Sequence, residues 1–217
     1  MTVFGINGRN EEQRAAIRAL TDSKPFTFLT GVAGTGKTLL AQAVGLENVI
    51  EKRTQRKLIY TRLQVQTGKD LGALPGDISE KTSPFMAPFM DGLEVLTSNP
   101  NEIKRYFNEA DEDKRKIFFE PIQMIRGRSL NHSYIIVDEA QDLDIATLTA
   151  IATRPGMNAK MVFIANFAQT DVPRLRNPEH SGLYKLLSGL YAEGAHEYFS
   201  HVSLVETLRN PVIEVVE

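Results

Sequence analysis

Two hydrophobic rhythms alternate along this chain. Short apolar or β-branched runs recur at Phe26-Thr27-Phe28-Leu29-Thr30, Lys57–Arg62, Lys116–Glu120, Tyr134-Ile135-Ile136-Val137 and Lys160–Ala165. Uninterrupted runs of this kind fit strands buried on both faces of a parallel sheet. Between them lie stretches with helical spacing. Ile17 and Leu20 follow a start at Asn10-Glu11-Glu12-Gln13, Leu39–Val44 is a good helix former, and Leu148 and Ile151 continue from Asp142 or Asp144. Leu183, Leu186, Leu187 and Leu190 share one face of a helix from Gly182 to Ala192. Val202–Val205 alternates as a further strand would, and Val212–Val216 closes the chain. Strands alternating with helices predict an α/β fold, a parallel sheet of about five strands flanked by helices.

Residues 63–116 break that rhythm. Gly68, Gly72, Pro75, Gly76, Pro84, Pro88, Gly92 and Pro100 punctuate them. The stretch is too long for an ordinary connection, so it is expected to be an insertion after the second strand with some structure of its own. Lys69, Lys81, Lys104, Arg105, Lys114, Arg115 and Lys116 give it a basic side, although Asp111-Glu112-Asp113 sits among them. Phe85, Phe89 and Met90 can pack it, and an exposed aromatic could equally stack on a base.

Composition narrows the classes. The 217 residues suit one domain spanning 1–217, with a net charge of −2 that leaves any nucleic-acid contact to a local basic patch. No cysteine is present, which removes thiolate metal sites, disulfides and cysteine nucleophiles and fits an intracellular setting. No apolar run approaches the roughly 20 residues that span a bilayer, and no signal-peptide pattern opens the chain, so no membrane partner is expected. His132, His180, His196 and His201 lack metal-ligand spacing.

Chemistry enters at Gly31-Val32-Ala33-Gly34-Thr35-Gly36-Lys37-Thr38, which fits G-x-x-x-x-G-K-[ST] between a strand and a helix. Glycines let backbone N–H groups turn inward around phosphates, and the helix N-terminus adds positive potential there. Lys37 is placed to reach the β- and γ-phosphates of ATP, the Thr38 hydroxyl to hold Mg²⁺, and Leu39 continues the cradle into the helix. Asp138, at the end of an apolar strand, is the matching metal-binding acid, and Glu139 can orient and deprotonate an attacking water. Gln169 follows the 160–165 strand, where a polar amide can contact the γ-phosphate. Gln13 reads either as a capping-box residue or as an adenine contact. Arg62 reads as a solvated charge at a strand end.

Several landmarks together make the chain similar to the PhoH-like family of P-loop ATPases. They are the 31–38 loop, Leu71–Asp77 with Glu80-Lys81, Met124-Ile125-Arg126-Gly127-Arg128-Ser129-Leu130, Ile135–Gln141 and Arg209-Asn210-Pro211. The resemblance implies a single RecA-like core close to the first motor domain of superfamily 1 helicases. It also implies ATP hydrolysis coupled to single-stranded RNA or DNA, assembly of copies into an oligomer such as a hexameric ring, and residence in the cytoplasm of a bacterial or phage-infected cell. Gln13 then matches the helicase glutamine that reads adenine, and Gln169 the glutamine of a Gly-Asp-x-x-Gln sensor motif. Ala165-Asn166 stands where that motif carries Gly-Asp.

One motor domain has no second domain to supply an arginine to the transition state. A neighbouring copy is therefore expected to supply it, with Arg154, Arg174, Arg176 and Arg209 as candidates. Two rival readings stay open: a nucleotide-dependent switch with little turnover, and a kinase passing the γ-phosphate to a small acceptor.

Overall fold

The computed structural model describes residues 2–63, 78–111, 113–177 and 179–207, with the backbone alone over 78–85. Leu71–Asp77, Gly68, Lys69, Arg209-Asn210-Pro211 and the closing 212–216 segment lie outside the described residues, as do the side chains of Glu80, Lys81 and Phe85.

A small antiparallel hairpin of β1 (Thr2–Val3) and β2 (Ile6–Asn7) opens the chain. Then α1 (Glu11–Thr21) begins at Asn10, whose side chain accepts from the Gln13 N–H. Strand β3 (Phe26–Gly31) leads into α2 (Lys37–Leu46), which ends in a π-helical turn over Glu47–Glu51. After β4 (Lys57–Arg62) come α3 (Ile78–Leu96), α4 (Pro100–Asn108), β5 (Ile117–Phe119) and the short α5 (Ile122–Ile125). Strand β6 (Ser133–Asp138), α6 (Ile145–Ala152), β7 (Lys160–Ala165), α7 (Gly182–Ala192) and β8 (Phe199–Leu204) complete the order.

Among the described residues six strands form one sheet in the order β5-β4-β6-β7-β3-β8, with every neighbouring pair parallel. The α/β class is the expected one. The count is six rather than about five, because the three-residue β5 and the last strand β8 both join at the edges.

Burial on both faces follows the period of two. Tyr134 and Ile136 of β6 enter one core with α1, α2, α3 and α4, whereas Ile135 and Val137 enter the other with α5, α6 and α7. Strand β7 divides the same way, Val162 and Ile164 against Met161 and Phe163.

The described part of the insertion is more regular than its composition suggested. Helix α3 runs through Pro84, Pro88 and Gly92 without a break. A proline inside a helix removes one backbone bond and crowds the preceding turn, at a cost of about 3 kcal/mol. Packing offsets it: Phe89, Leu93 and Leu96 share one face and are buried. The Phe89 ring meets Tyr60 at 5.4 Å and Phe119 at 5.0 Å edge-on, so Phe89 packs rather than stacking on a base. Pro100 sits in the first turn of α4, where no backbone donor is lost. Met124 and Ile125 close α5, and the chain turns at Arg126-Gly127, where Gly127 has φ +77.

Phe89→Ala is expected to destabilise the fold by about 3–5 kcal/mol in urea unfolding, because the ring is fully buried between helix and sheet. Helix α6 starts at Asp144, rather than Asp142, and the Asp144 carboxylate accepts from the Thr147 N–H at 2.8 Å. That bond holds the Asp144 pKa below the ordinary value. A group depressed by folding stabilises at neutral pH and loses that contribution as pH falls through its folded pKa. Asp144→Ala is therefore expected to cost about 1 kcal/mol at pH 7, with the gap to the wild type closing in acid.

Candidate nucleotide site

Because all six strands run parallel, their C-terminal ends lie along one edge. Gly31, Arg62, Asp138 and Ala165 end β3, β4, β6 and β7 there. A cleft of about 710 Å³ opens over that edge and is lined by Ala33, Gly34, Gly36, Lys37, Thr38 and Leu39 from the phosphate loop. Asp138, Glu139 and Gln169 from the other strand ends line it too, as does Gln13 from α1. The structure thus brings together the sequence-predicted residues of four separate segments.

Local geometry explains the loop's residue types. Gly31 has φ +125, and a Cβ there would fall 1.8 Å from the Leu204 carbonyl oxygen of β8. Gly36, at φ +92, would place a Cβ 2.8 Å from Gln13 Nε2. Gln13 is what fills that space: Nε2 donates to the Thr35 carbonyl at 2.8 Å, and Oε1 accepts from the Arg9 N–H at 3.0 Å. The capping role of Gln13 therefore extends into bracing the phosphate loop against α1. Lys37 is turned into its own loop, donating to the carbonyls of Gly31 at 2.8 Å and Val32 at 2.6 Å.

Asp138 is buried and receives three donors. Thr38 Oγ1 lies 3.5 Å from Oδ1, the Tyr60 hydroxyl donates to Oδ2 at 2.5 Å, and the Glu139 N–H reaches Oδ1 at 3.1 Å. Burial pushes the Asp138 pKa up, and the Tyr60 hydrogen bond pulls it back. Tyr60 itself is pushed far up, first by burial and then by the Asp138 charge. A buried acid with two hydroxyl partners, and with no ion pair to it among the described residues, suits a hard divalent cation. Among the described residues no group of three acids or histidines could hold a metal alone.

Sequence reasoning missed three neighbours. Tyr60 is the first, Gln141 the second. Gln141 Nε2 donates to Glu139 Oε2 at 2.6 Å and to the Gln169 carbonyl at 2.9 Å, while Oε1 accepts from the Asn166 N–H at 3.1 Å. One buried amide thus joins the end of β6 to the loop after β7. Glu139 is held there with φ +51, a conformation that costs a non-glycine residue about 1 kcal/mol or more. Arg62 is the third. It was expected in solvent, but it is half-buried and lines the cleft. The i, i+2 pairing of Tyr60 and Arg62 on one strand was a visible signal, but which strand lay beside β4 was not.

The arginine candidates separate. Arg154 follows α6 and its carbonyl accepts from Leu130, at the edge where β7 starts, far from the strand C-termini. Arg174 pairs with Asp144 at 3.1 Å and Arg176 Nε donates to the Thr170 carbonyl at 3.4 Å, both on the loop after β7. None of these three lines the cleft, and Arg209 lies outside the described residues.

The cations of the insertion are largely engaged locally. Lys114 pairs with Asp111, Arg105 with Glu102, and Lys116 lies over the Tyr106 ring.

An all-parallel sheet, a phosphate loop at a strand–helix junction and an acid ending a nearby strand define a nucleotide-binding domain of the P-loop ATPase type. The chain belongs to the PhoH-like family: the family profile described as "PhoH-like protein" matches residues 5–217. Protein PhoH2 of Mycolicibacterium smegmatis is 40% identical over 99% of this chain and 47% of its own length. Protein PhoH of Escherichia coli K12 is 36% identical over 78% of this chain and 46% of its own. The chain thus spans about half the length of these curated relatives. Among solved structures, the large terminase from a thermophilic bacteriophage aligns at 12% identity and TM-score 0.49, over 89% of this chain and 45% of that one. Pif1 helicase from Bacteroides aligns at 16% and 0.41, over 93% and 43%. Among the described residues no helix is long and apolar enough to cross a membrane.

Tyr60→Phe deletes one donor to a buried carboxylate. It is expected to cost about 1–3 kcal/mol in urea unfolding at neutral pH and to raise the Asp138 pKa further, which carboxylate-edited NMR titration would read.

Proposed function

We propose that this chain binds Mg-ATP and hydrolyses it. The observation that carries the reading is the meeting of Thr38 and Asp138, 100 positions apart in sequence, at 3.5 Å beside the phosphate loop. The loop amides from Gly31 to Thr38 cradle the α- and β-phosphates, and Lys37 exchanges its bonds to Gly31 and Val32 for the β- and γ-phosphates. Thr38 and Asp138 hold Mg²⁺, which when bound neutralises developing charge on the phosphate oxygens. Glu139 orients the water and takes its proton, and Gln169 contacts the γ-phosphate. The Gln13 amide keeps one further donor and one acceptor site for the adenine edge.

Turnover is coupled to gripping or moving single-stranded RNA or DNA within a homo-oligomer. Membership of the PhoH-like family supports this part. Arg174 and Arg176, on the nucleotide edge, are the candidates for an arginine offered to a neighbouring copy.

Glu139→Gln is expected to keep ATP affinity and to lower steady-state phosphate release by about 10²–10⁴-fold. Single-stranded polymer should stimulate the wild type more than duplex does. Equal phosphate release by both proteins would instead favour a switch that holds ATP with little turnover. A specific observation keeps that second reading in play. Asn166, where the family motif has an acid, presents an amide whose Oδ1 accepts from the Ala168 N–H at 3.1 Å.

A further inference from the structure

Arg62 ends β4 in direct register with Asp138 of β6. It shares a strand face with Tyr60, two residues back, whose hydroxyl reaches Asp138. Arg62 lines the same cleft as Lys37, Thr38, Asp138 and Glu139. Its Nε is buried and, among the described residues, has no hydrogen-bond partner. The Arg62 charge acts on Asp138 without pairing with it, and Asp138 and Glu139 already have hydrogen-bond partners: Thr38, Tyr60 and the Glu139 N–H on Asp138, and Gln141 on Glu139. Among the described residues no carboxylate pairs with the guanidinium. A buried donor left unmatched is costly, and a guanidinium offers a planar fork that fits phosphate oxygens two at a time.

Strand order says which phosphate. Strands β4 and β3 lie on opposite sides of β6 and β7. Lys37 approaches the site from the β3 side and Arg62 from the other, with the Thr38–Asp138 pair between them. A triphosphate whose metal was held at the Thr38–Asp138 pair would offer its γ end to a cation on the β4 side.

We propose that Arg62 contacts the γ-phosphate and is a catalytic residue supplied within the same chain; this rests on the ATP-hydrolysis reading above. Water oxygen bonds to the γ-phosphorus, and the bond from that phosphorus to the β–γ bridging oxygen breaks. The electron pair leaves with ADP. The water proton passes to Glu139 and then to the departing phosphate or solvent. Arg62 holds the equatorial γ-oxygens as their charge redistributes.

The test compares wild type, Arg62→Ala and Arg62→Lys. Binding of ADP and of the β,γ-imido analogue of ATP is titrated with Mg²⁺, and phosphate release from ATP is measured in parallel. Circular dichroism melting checks that each variant folds. Arg62→Ala should bind the analogue at least about tenfold more weakly with ADP affinity unchanged, and lose about 10²–10³-fold in turnover. Arg62→Lys should regain part of the analogue's affinity but little turnover, since an ammonium cannot make the paired contact.

Equal weakening of ADP and analogue, or no change in either, would overturn the assignment. So would an Arg62→Ala protein that loses only its response to single-stranded polymer. A wild type that binds the analogue but does not hydrolyse ATP would overturn the catalytic role, and the γ-phosphate contact would then stand or fall on the binding comparison. A wild type that binds neither nucleotide would overturn the hydrolysis reading together with this one.

Discussion

A carboxylate buried at the end of a strand needs partners, and the fold is arranged around supplying them to Asp138. Each comes from a different level of the structure. Glu139 gives its own backbone N–H, β4 gives the Tyr60 hydroxyl from the adjacent strand, and α2 gives Thr38. The last requires α2 to cross from β3, over β7, to reach β6, and α2 does contribute to the same core as Tyr134 and Ile136 of β6. Parallel pairing throughout the sheet is what brings the ends of β3, β4, β6 and β7 to one edge. If any of these four strands were reversed, its terminal residue would lie about 20 Å away at the other edge.

The second layer of organisation is the Gln141 amide. Its three hydrogen bonds tie Glu139 to the Asn166–Gln169 loop, so the end of β6 and the segment after β7 are held in one arrangement. Buried polar networks of this kind hold a unique arrangement when every member is satisfied. The positive φ of Glu139 is consistent with a residue held by its surroundings rather than by local preference. Gln13 does for the other side of the cleft what Gln141 does here, tying α1 to the phosphate loop.

Features that depend on neighbours in sequence were legible without the structure. The phosphate loop announces itself in eight residues, the strands buried on two faces read as apolar runs, and Asn10 marks the start of α1. Features that depend on which strand lies beside which were not. Arg62 looked like a solvated charge because nothing near it in sequence says that β4 borders β6, and Tyr60 looked like one more apolar residue for the same reason. Helix α3 was obscured by Pro84 and Pro88, whose local cost is outweighed by the burial of Phe89 and Leu93, a tertiary effect no window of sequence contains. Lys116–Glu120 and Val202–Val205 were both legible as strand runs; what their residues do not say is that β5 and β8 join the same sheet at its two edges.

The central claim is that the phosphate loop and Asp138 together hold a nucleotide through a divalent cation. Calorimetric titration of ATP into wild-type protein and Lys37→Ala, each with Mg²⁺ and again with excess chelator, tests it most directly. The account predicts binding by the wild type that weakens at least about tenfold without Mg²⁺ and as much again in Lys37→Ala, a loss of about 1.4 kcal/mol for each tenfold step. Binding of equal strength in all four titrations, or none in any, would contradict it.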